Sequence, residues 1–165
     1  MSEKVPSVKR PSSGFTRWMF RAPIWLYKIG LGGLMTKRMV LLNHIGRKSG
    51  KMRQTVVEVV RYDKATDTVY VASGWGEKSD WYRNLLANPE ITIQVGWRKM
   101  AVTAVPLNPE QSGQAMVDYA HRYPTAAKVL SKRLLGYEVD GSDEDYYALG
   151  HDAVPFVALQ PREGS

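Results

Sequence analysis

Apolar positions along this chain follow a helical spacing at first and change period near residue 39. Ser12 or Ser13 can cap a short helix that carries Phe15, Trp18, Met19 and Ala22 on one face. Pro23 suits the first turn of a second helix through Ile24, Trp25 and Tyr27, which Gly30, Gly32 and Gly33 end. Strand signals then take over: Met39 to Leu42, the β-branched run Thr55 to Tyr62, and Val69 to Ala72 after the turn Asp63 to Asp67. Ser79 and Asp80 start a helix in which Trp81, Leu85 and Asn88 share a face, and Asn88-Pro89 stops it. Ile91, Ile93 and Val95 alternate with Thr92 and Gln94, and Gly96-Trp97-Arg98 turns the chain back through Met100 to Leu107. Asn108-Pro109-Glu110-Gln111 has the form of a capping box with proline at the first helical position. Helices are expected over 109–121, 125–135 and 143–150, with a last strand from Val154 to Leu159.

Short turns between strands exclude the crossover helices that a parallel sheet needs. The pattern predicts an α+β fold: about six antiparallel strands curled into a small barrel, with flanking helices and one helix inserted between the third and fourth strands. Residues 1–11, rich in Ser, Pro and cations, read as a flexible basic tail, and residues 12–165 as a single domain.

Composition narrows the chemistry. Cysteine is absent, so disulfides, thiolate metal sites and a cysteine nucleophile are excluded. The three histidines (His44, His121 and His151) lie far apart, which disfavours a zinc hydrolase, and no metal site is expected. A net charge of +7 favours an anionic partner. No apolar stretch approaches the ~20 residues of a membrane span, and cations interrupt the N-terminal segment where a signal peptide would be apolar. The expected location is the cytoplasm. A peripheral membrane contact stays open, because Phe15, Trp18, Met19 and Trp25 with Arg17, Arg21 and Lys28 either close the barrel or lie on an anionic surface.

Two segments carry candidate chemistry. The turn Gly46 to Arg53 packs Arg47, Lys48, Lys51 and Arg53 around two glycines and Ser49. As an anion clamp it would offer backbone amides and the forked guanidinium groups of Arg47 and Arg53; as a solvated hairpin tip it would only aid solubility. It is not a Walker loop, since Gly46 to Gly50 lacks the Gly-Lys-Ser/Thr ending. The second segment ends a strand in Ala72-Ser73-Gly74-Trp75-Gly76, small enough for a ring system to lie against backbone, and leads through Lys78 into the helix with Asp80, Trp81, Tyr82, Arg83 and Asn84. Asp80 suits a helix cap better than an anion ligand, and Trp81 and Tyr82 are equally at home in a core.

Gly46-Arg47-Lys48-Ser49-Gly50-x-x-Arg53, Val71-Ala72-Ser73 and Asp80-Trp81-Tyr82-x-Asn84-Leu85-x-Ala87-Asn88-Pro89 together resemble the deazaflavin-dependent nitroreductase family of split β-barrel proteins. The resemblance covers about Arg17 to Leu107. It implies an FMN-binding-like split β-barrel that binds the 8-hydroxy-5-deazaflavin coenzyme (factor 420), whose phosphate and oligoglutamate tail are anionic. It further implies hydride transfer from the reduced coenzyme to a quinone, a nitroaromatic or another activated alkene. Carried over by motif, Arg47, Lys48, Ser49 and Arg53 hold phosphate and tail, and Ala72, Ser73 and Gly74 face the ring. Trp75, Lys78, Asp80, Trp81, Tyr82, Arg83 and Asn84 complete the pocket. The chain departs from the family's nitroreductase in having Gly74 where a lysine follows the serine, and Ala126 and Ala127 where tyrosines follow Arg122-Tyr123-Pro124.

Tyr123 is thus the first candidate to donate a proton or hydrogen bond to the product, with Tyr146 and Tyr147 as further catalytic candidates and Tyr137 able to fill the same role. The substrate would stack between the ring and aromatic residues such as Trp18, Trp25, Tyr146 or Tyr147. The expected partner is a small molecule, on a monomer or homodimer. The rival reading is a non-catalytic or differently loaded split-barrel protein holding a fatty acid, FMN or haem, with FMN the second choice of cofactor. A nucleic-acid binder is disfavoured, because neither a stacking-aromatic strand motif nor a recognition-helix pattern is present.

Overall fold

The computed structural model describes residues 38–162 other than 75, 135 and 137–139, and not the side chains of 130, 133 and 134. The tail, both N-terminal helices with Phe15, Trp18, Met19 and Trp25, and the positions Trp75 and Tyr137 lie outside the described residues. Chain segments 38–71, Asp80–Val105 and 158–162 make one compact unit, and Ala72–Ser79 with Pro106–Val157 another.

β1 (Met39–Ile45), β2 (Met52–Asp63), β3 (Thr68–Ala72), β4 (Glu90–Val95), β5 (Arg98–Pro106) and β6 (Phe156–Pro161) form a closed barrel in the order β1-β2-β3-β6-β5-β4. The expected number of strands and the position of the inserted helix, α1 (Asp80–Ala87), are both observed. Alternation along the strands explains the barrel's inside: Val40 and Leu42 of β1, Ile91 and Ile93 of β4, and Met100, Val102 and Ala104 of β5 are all buried. Outward positions on the same strands include Asn43, Thr92, Gln94 and Lys99.

β2 carries one extra residue opposite β3, where the register passes from Val59↔Val71 to Arg61↔Tyr70. Such a bulge bends a strand and sharpens its twist, which a small closed barrel requires. At the β4–β5 turn Gly96 adopts a φ of 59°, the left-handed conformation a two-residue hairpin loop demands of its first position. β1 and β2 both extend closer to the basic turn than their β-branched cores suggest, pairing as far as Ile45↔Met52. Arg53 therefore belongs to a strand rather than to the turn.

In the second unit α2 (Pro109–Arg122) packs on α3 (Pro124–Leu134) and α4 (Asp143–Asp152). The expected capping box starts α2: Gln111 N–H donates to Asn108 Oδ1 at 2.8 Å and Asn108 N–H to Gln111 Oε1 at 3.0 Å. Ser142 caps α4, whose first turn holds Asp143, Glu144 and Asp145 against the positive end of the helix dipole. Glycine sets the spacing of α2 and α4. A Cβ on Gly150 would stand 2.3 Å from the Ser112 carbonyl oxygen, and one on Gly113 would stand 2.8 Å from the Tyr147 ring. The last strand begins at Phe156, two residues later than the sequence suggests, because Val154 N–H still bonds the Leu149 carbonyl at the end of α4.

Candidate functional site

The basic turn is closed by its own hydrogen bonds. Gly46 N–H donates to the Lys51 carbonyl at 2.8 Å and Gly50 N–H to the Gly46 carbonyl at 2.9 Å, with Gly50 at a φ of 69°. Lys51 N–H donates to Ser49 Oγ at 3.2 Å. Gly46 is buried, and a Cβ there would stand 2.5 Å from Ser49 Oγ and 3.8 Å from Arg53 Nε. A side chain at Gly46 would therefore displace the Ser49 hydroxyl and come into contact with Arg53. Lys48, Ser49, Lys51 and Arg53 are exposed, so their polar heads face solvent around one tight loop.

Arg47 behaves differently. Its backbone N–H and its Nη1 both donate to Asn84 Oδ1, at 3.1 and 2.9 Å, and its Nη2 reaches Asp80 Oδ1 at 3.3 Å. Its side chain keeps 23% exposure, so the guanidinium is held in place at the edge of solvent. Both ends of the Asn84 amide are engaged, because Nδ2 lies 3.0 Å from His44 Nδ1. His44 in turn places Nε2 3.1 Å from Thr55 Oγ1. β1, β2, the basic turn and α1 are thereby joined by one chain of hydrogen bonds.

The His44 ring is 3% exposed, and burial, with the nearby Arg53 charge, pushes its pKa down to about 4 against a smaller opposing pull from Asp80. At neutral pH it is an uncharged imidazole. The tautomer follows from its partners: Asn84 Nδ2 can only donate, so Nδ1 accepts and Nε2 carries the proton toward Thr55.

Along α1, Trp81 and Tyr82 are both buried and meet edge to face at 6.2 Å, whereas Arg83 is exposed. Asn88, expected on the face of Trp81 and Leu85, is exposed instead, because α1 ends at Ala87 and the chain turns outward before Pro89.

In the other unit, the Ser73 hydroxyl donates to the Gly76 carbonyl at 2.7 Å, its N–H donates to the Pro155 carbonyl at 2.9 Å, and Gly76 N–H donates back to the Ser73 carbonyl at 3.0 Å. Ser73 thus fastens its own turn and is wholly buried, while Ala72 and Gly74 are half-buried and Lys78 is exposed. The three tyrosines separate by burial. Tyr123 ends α2 and is 40% exposed, 5.6 Å from the Tyr119 ring. Tyr147 is half-buried over Gly113 and 5.9 Å from the His151 ring. Tyr146 is 4% exposed, its hydroxyl has no hydrogen-bond partner among the described residues, and burial raises its pKa.

A groove of about 620 Å3 lies on the outward face of β1, β2, β4 and β5, lined by Asn43, Gln54, Thr92, Gln94 and Lys99 among others. None of the four cations of the turn lines it. With one cation and no aromatic side chain, its chemistry suits a large anionic ring poorly. His44 and Thr55 are the members of this hydrogen-bond network that the sequence pattern left without a role. The hairpin register could have paired His44 with Arg53, but no local signal announces the bond to Asn84.

A closed six-stranded antiparallel barrel with a helix between its third and fourth strands defines the class: a split β-barrel of the FMN-binding type. A pyridoxamine 5'-phosphate oxidase-related, FMN-binding protein (NPUN_F5749) from Nostoc punctiforme PCC 73102 shares it, with a TM-score of 0.53 and 13% identity over 93% of this chain and 81% of its own. A protein solved as a domain-swapped dimer gives a TM-score of 0.53 at 20% identity, over 89% of this chain and 100% of its own. At such identities the likeness carries the fold alone. The chain belongs to the F420H(2)-dependent quinone reductase family, whose model matches residues 20–132. The F420H(2)-dependent quinone reductase Rv1261c of Mycobacterium tuberculosis (strain ATCC 25618 / H37Rv) is 30% identical over 99 residues, which cover 60% of this chain and 63% of the relative. The match thus spans less than two thirds of that protein's length.

Proposed function

We propose that this chain is a reductase that uses the reduced deazaflavin coenzyme to reduce a quinone, and that the turn from Gly46 to Arg53 binds the coenzyme's phosphate and tail. The observation that carries the reading is the division of labour among the cations. Arg47 is pinned by Asn84 and Asp80, whereas Lys48, Lys51 and Arg53 stand exposed around the same loop. A hairpin tip that served only solubility would have no need of a guanidinium held by two hydrogen bonds with a third from its own backbone N–H. The donor set suits a polyanion: one oriented guanidinium, three exposed cations, and a buried glycine that keeps the loop closed.

When bound, the coenzyme supplies the hydride. The protein's part is to bind, orient and manage protons. The family motif assigns Ala72, Ser73 and Gly74 to the ring, and the internal bonds of Ser73 make it the fastener of that turn, which leaves ring contact to backbone and to Ala72 and Gly74. Among Tyr123, Tyr146 and Tyr147, we favour Tyr123 as the group that donates a hydrogen bond to substrate, because it is exposed whereas the Tyr146 hydroxyl is buried.

Two measurements test this. Lys48→Ala with Arg53→Ala removes two charge-assisted contacts and is expected to raise the deazaflavin Kd, read by coenzyme fluorescence, roughly 100-fold. The same pair should flatten the dependence of Kd on salt. Unchanged affinity and salt dependence would remove the clamp. Tyr123→Phe is expected to lower quinone turnover, whereas Tyr146→Phe, by deleting a buried unpaired hydroxyl, should raise unfolding stability by about 1 kcal/mol and leave turnover unchanged. A fully active Tyr123→Phe variant would remove Tyr123 from the site.

A further inference from the structure

We infer that His44 is a positioning residue for the anion-binding turn: as an uncharged hydrogen-bond acceptor it holds the Asn84 amide in the one orientation that presents Oδ1 to Arg47. The inference rests on the proposed role of the turn in binding the coenzyme. It explains why a nearly inaccessible imidazole sits beneath a loop of four cations.

The geometry is directional. Asn84 Oδ1 accepts from both Arg47 N–H and Arg47 Nη1, so the opposite end of the amide, Nδ2, must face His44. Flipping the amide would set an NH2 group against two Arg47 donors, leaving all of them without an acceptor. Nδ1 of His44 is the acceptor that prevents the flip, and Thr55 Oγ1 holds the ring proton on Nε2, away from Asn84. The charged groups around the ring favour its neutral form, since Arg53 from β2 opposes an added proton more than Asp80 from α1 invites it. Register supports the arrangement: His44 pairs with Arg53 across β1 and β2, placing the acceptor one strand pair below the turn it serves. Arg47 donates two of its three hydrogen bonds to Asn84, so losing the His44 acceptor frees the amide and with it the guanidinium.

His44→Leu removes the acceptor at similar bulk, whereas His44→Asn restores an acceptor near the position of Nδ1. Titrated with the deazaflavin coenzyme, His44→Leu is expected to bind about tenfold more weakly and His44→Asn within about threefold of the parent. Neither should change the affinity for the deazaflavin nucleoside that lacks phosphate and tail. Folded His44→Leu with parental coenzyme affinity would overturn the inference. Thr55→Val, nearly isosteric, serves if His44→Leu does not fold. It frees the ring proton to move to Nδ1, and a coenzyme affinity equal to the parent's would count against the assigned tautomer.

A parent protein that binds no deazaflavin at all would refute the proposed function but not this inference, which has a second readout. Amide exchange at Arg47 should lose protection in His44→Leu and keep it in His44→Asn, and ring 15N shifts should report a protonated Nε2. Equal Arg47 protection in all three proteins, or a protonated Nδ1, would overturn the positioning role without reference to any ligand.

Discussion

Gly150→Ala is expected to destabilise the protein by about 3 kcal/mol, an overpacking cost at the upper end of what a single inserted methyl causes. The new Cβ would stand 2.3 Å from the Ser112 carbonyl oxygen and 2.7 Å from Met116 Cβ, and neither atom can swing aside without moving α2. For a chain of this length such a loss corresponds to a fall in Tm of roughly 6–12 °C, measurable by calorimetry or circular dichroism. Gly113→Ala provides the contrast. Its Cβ would meet the ring of Tyr147, a side chain that can rotate, so the cost should be smaller while the ring is displaced. Equal melting of Gly150→Ala and the parent would mean that α2 and α4 do not pack as closely as described. The same helices carry Met116, Val117, Leu149 and Tyr146, all buried, so this contact organises the core of its unit.

The second large effect is acid loss of stability through His44. Its folded-state pKa of about 4 lies below the ordinary 6.5, because burial and Arg53 disfavour the charged ring. Above pH 6.5 the ring is neutral in both folded and unfolded chains, and the contribution is fully present. As pH falls from 6.5 the unfolded state gains the proton first, so stability declines until the folded ring also protonates near 4. The interval from 6.5 to about 4 corresponds to about 3 kcal/mol. Other groups titrate over the same range, so the quantity to measure is the difference between the parent and His44→Asn in urea unfolding at pH 7 and at pH 4. That difference should shift by about 3 kcal/mol in favour of the variant on acidification. A constant difference would show that the ring titrates normally. Below that interval the network itself must change, since an imidazolium would point a donor at Asn84 Nδ2, which is also a donor.

These two sites illustrate different relations between sequence and structure. The capping box at Asn108 and Gln111, the Gly96 turn and the spacing of the six strands were legible because each is written in contiguous residues. A cap needs its acceptor three positions from its donor, a tight hairpin needs a glycine at a fixed place, and a strand needs alternation over a few residues. The concentration of Arg47, Lys48, Lys51 and Arg53 was equally plain, since charge density within one turn requires no fold to create it.

What the linear pattern left open was which of those cations is anchored. That depends on α1 bringing Asn84 to Arg47, 37 residues away in sequence, and to His44, 40 residues away. The choice between pocket and core for Trp81 and Tyr82 was also tertiary. One helical face reads the same whether it lines a cavity or fills one, and here both rings are buried. The tyrosines make the same point: Tyr123, Tyr146 and Tyr147 are alike as residues, and only the crossing of α2 and α4 exposes the first, sinks the second and lays the third over Gly113. Local backbone chemistry determined the elements and the charge of this protein. Long-range register and helix approach decided which polar groups are spent on holding the structure and which remain to meet a ligand, because a hydrogen bond between distant residues exists only once the packing has brought them within reach.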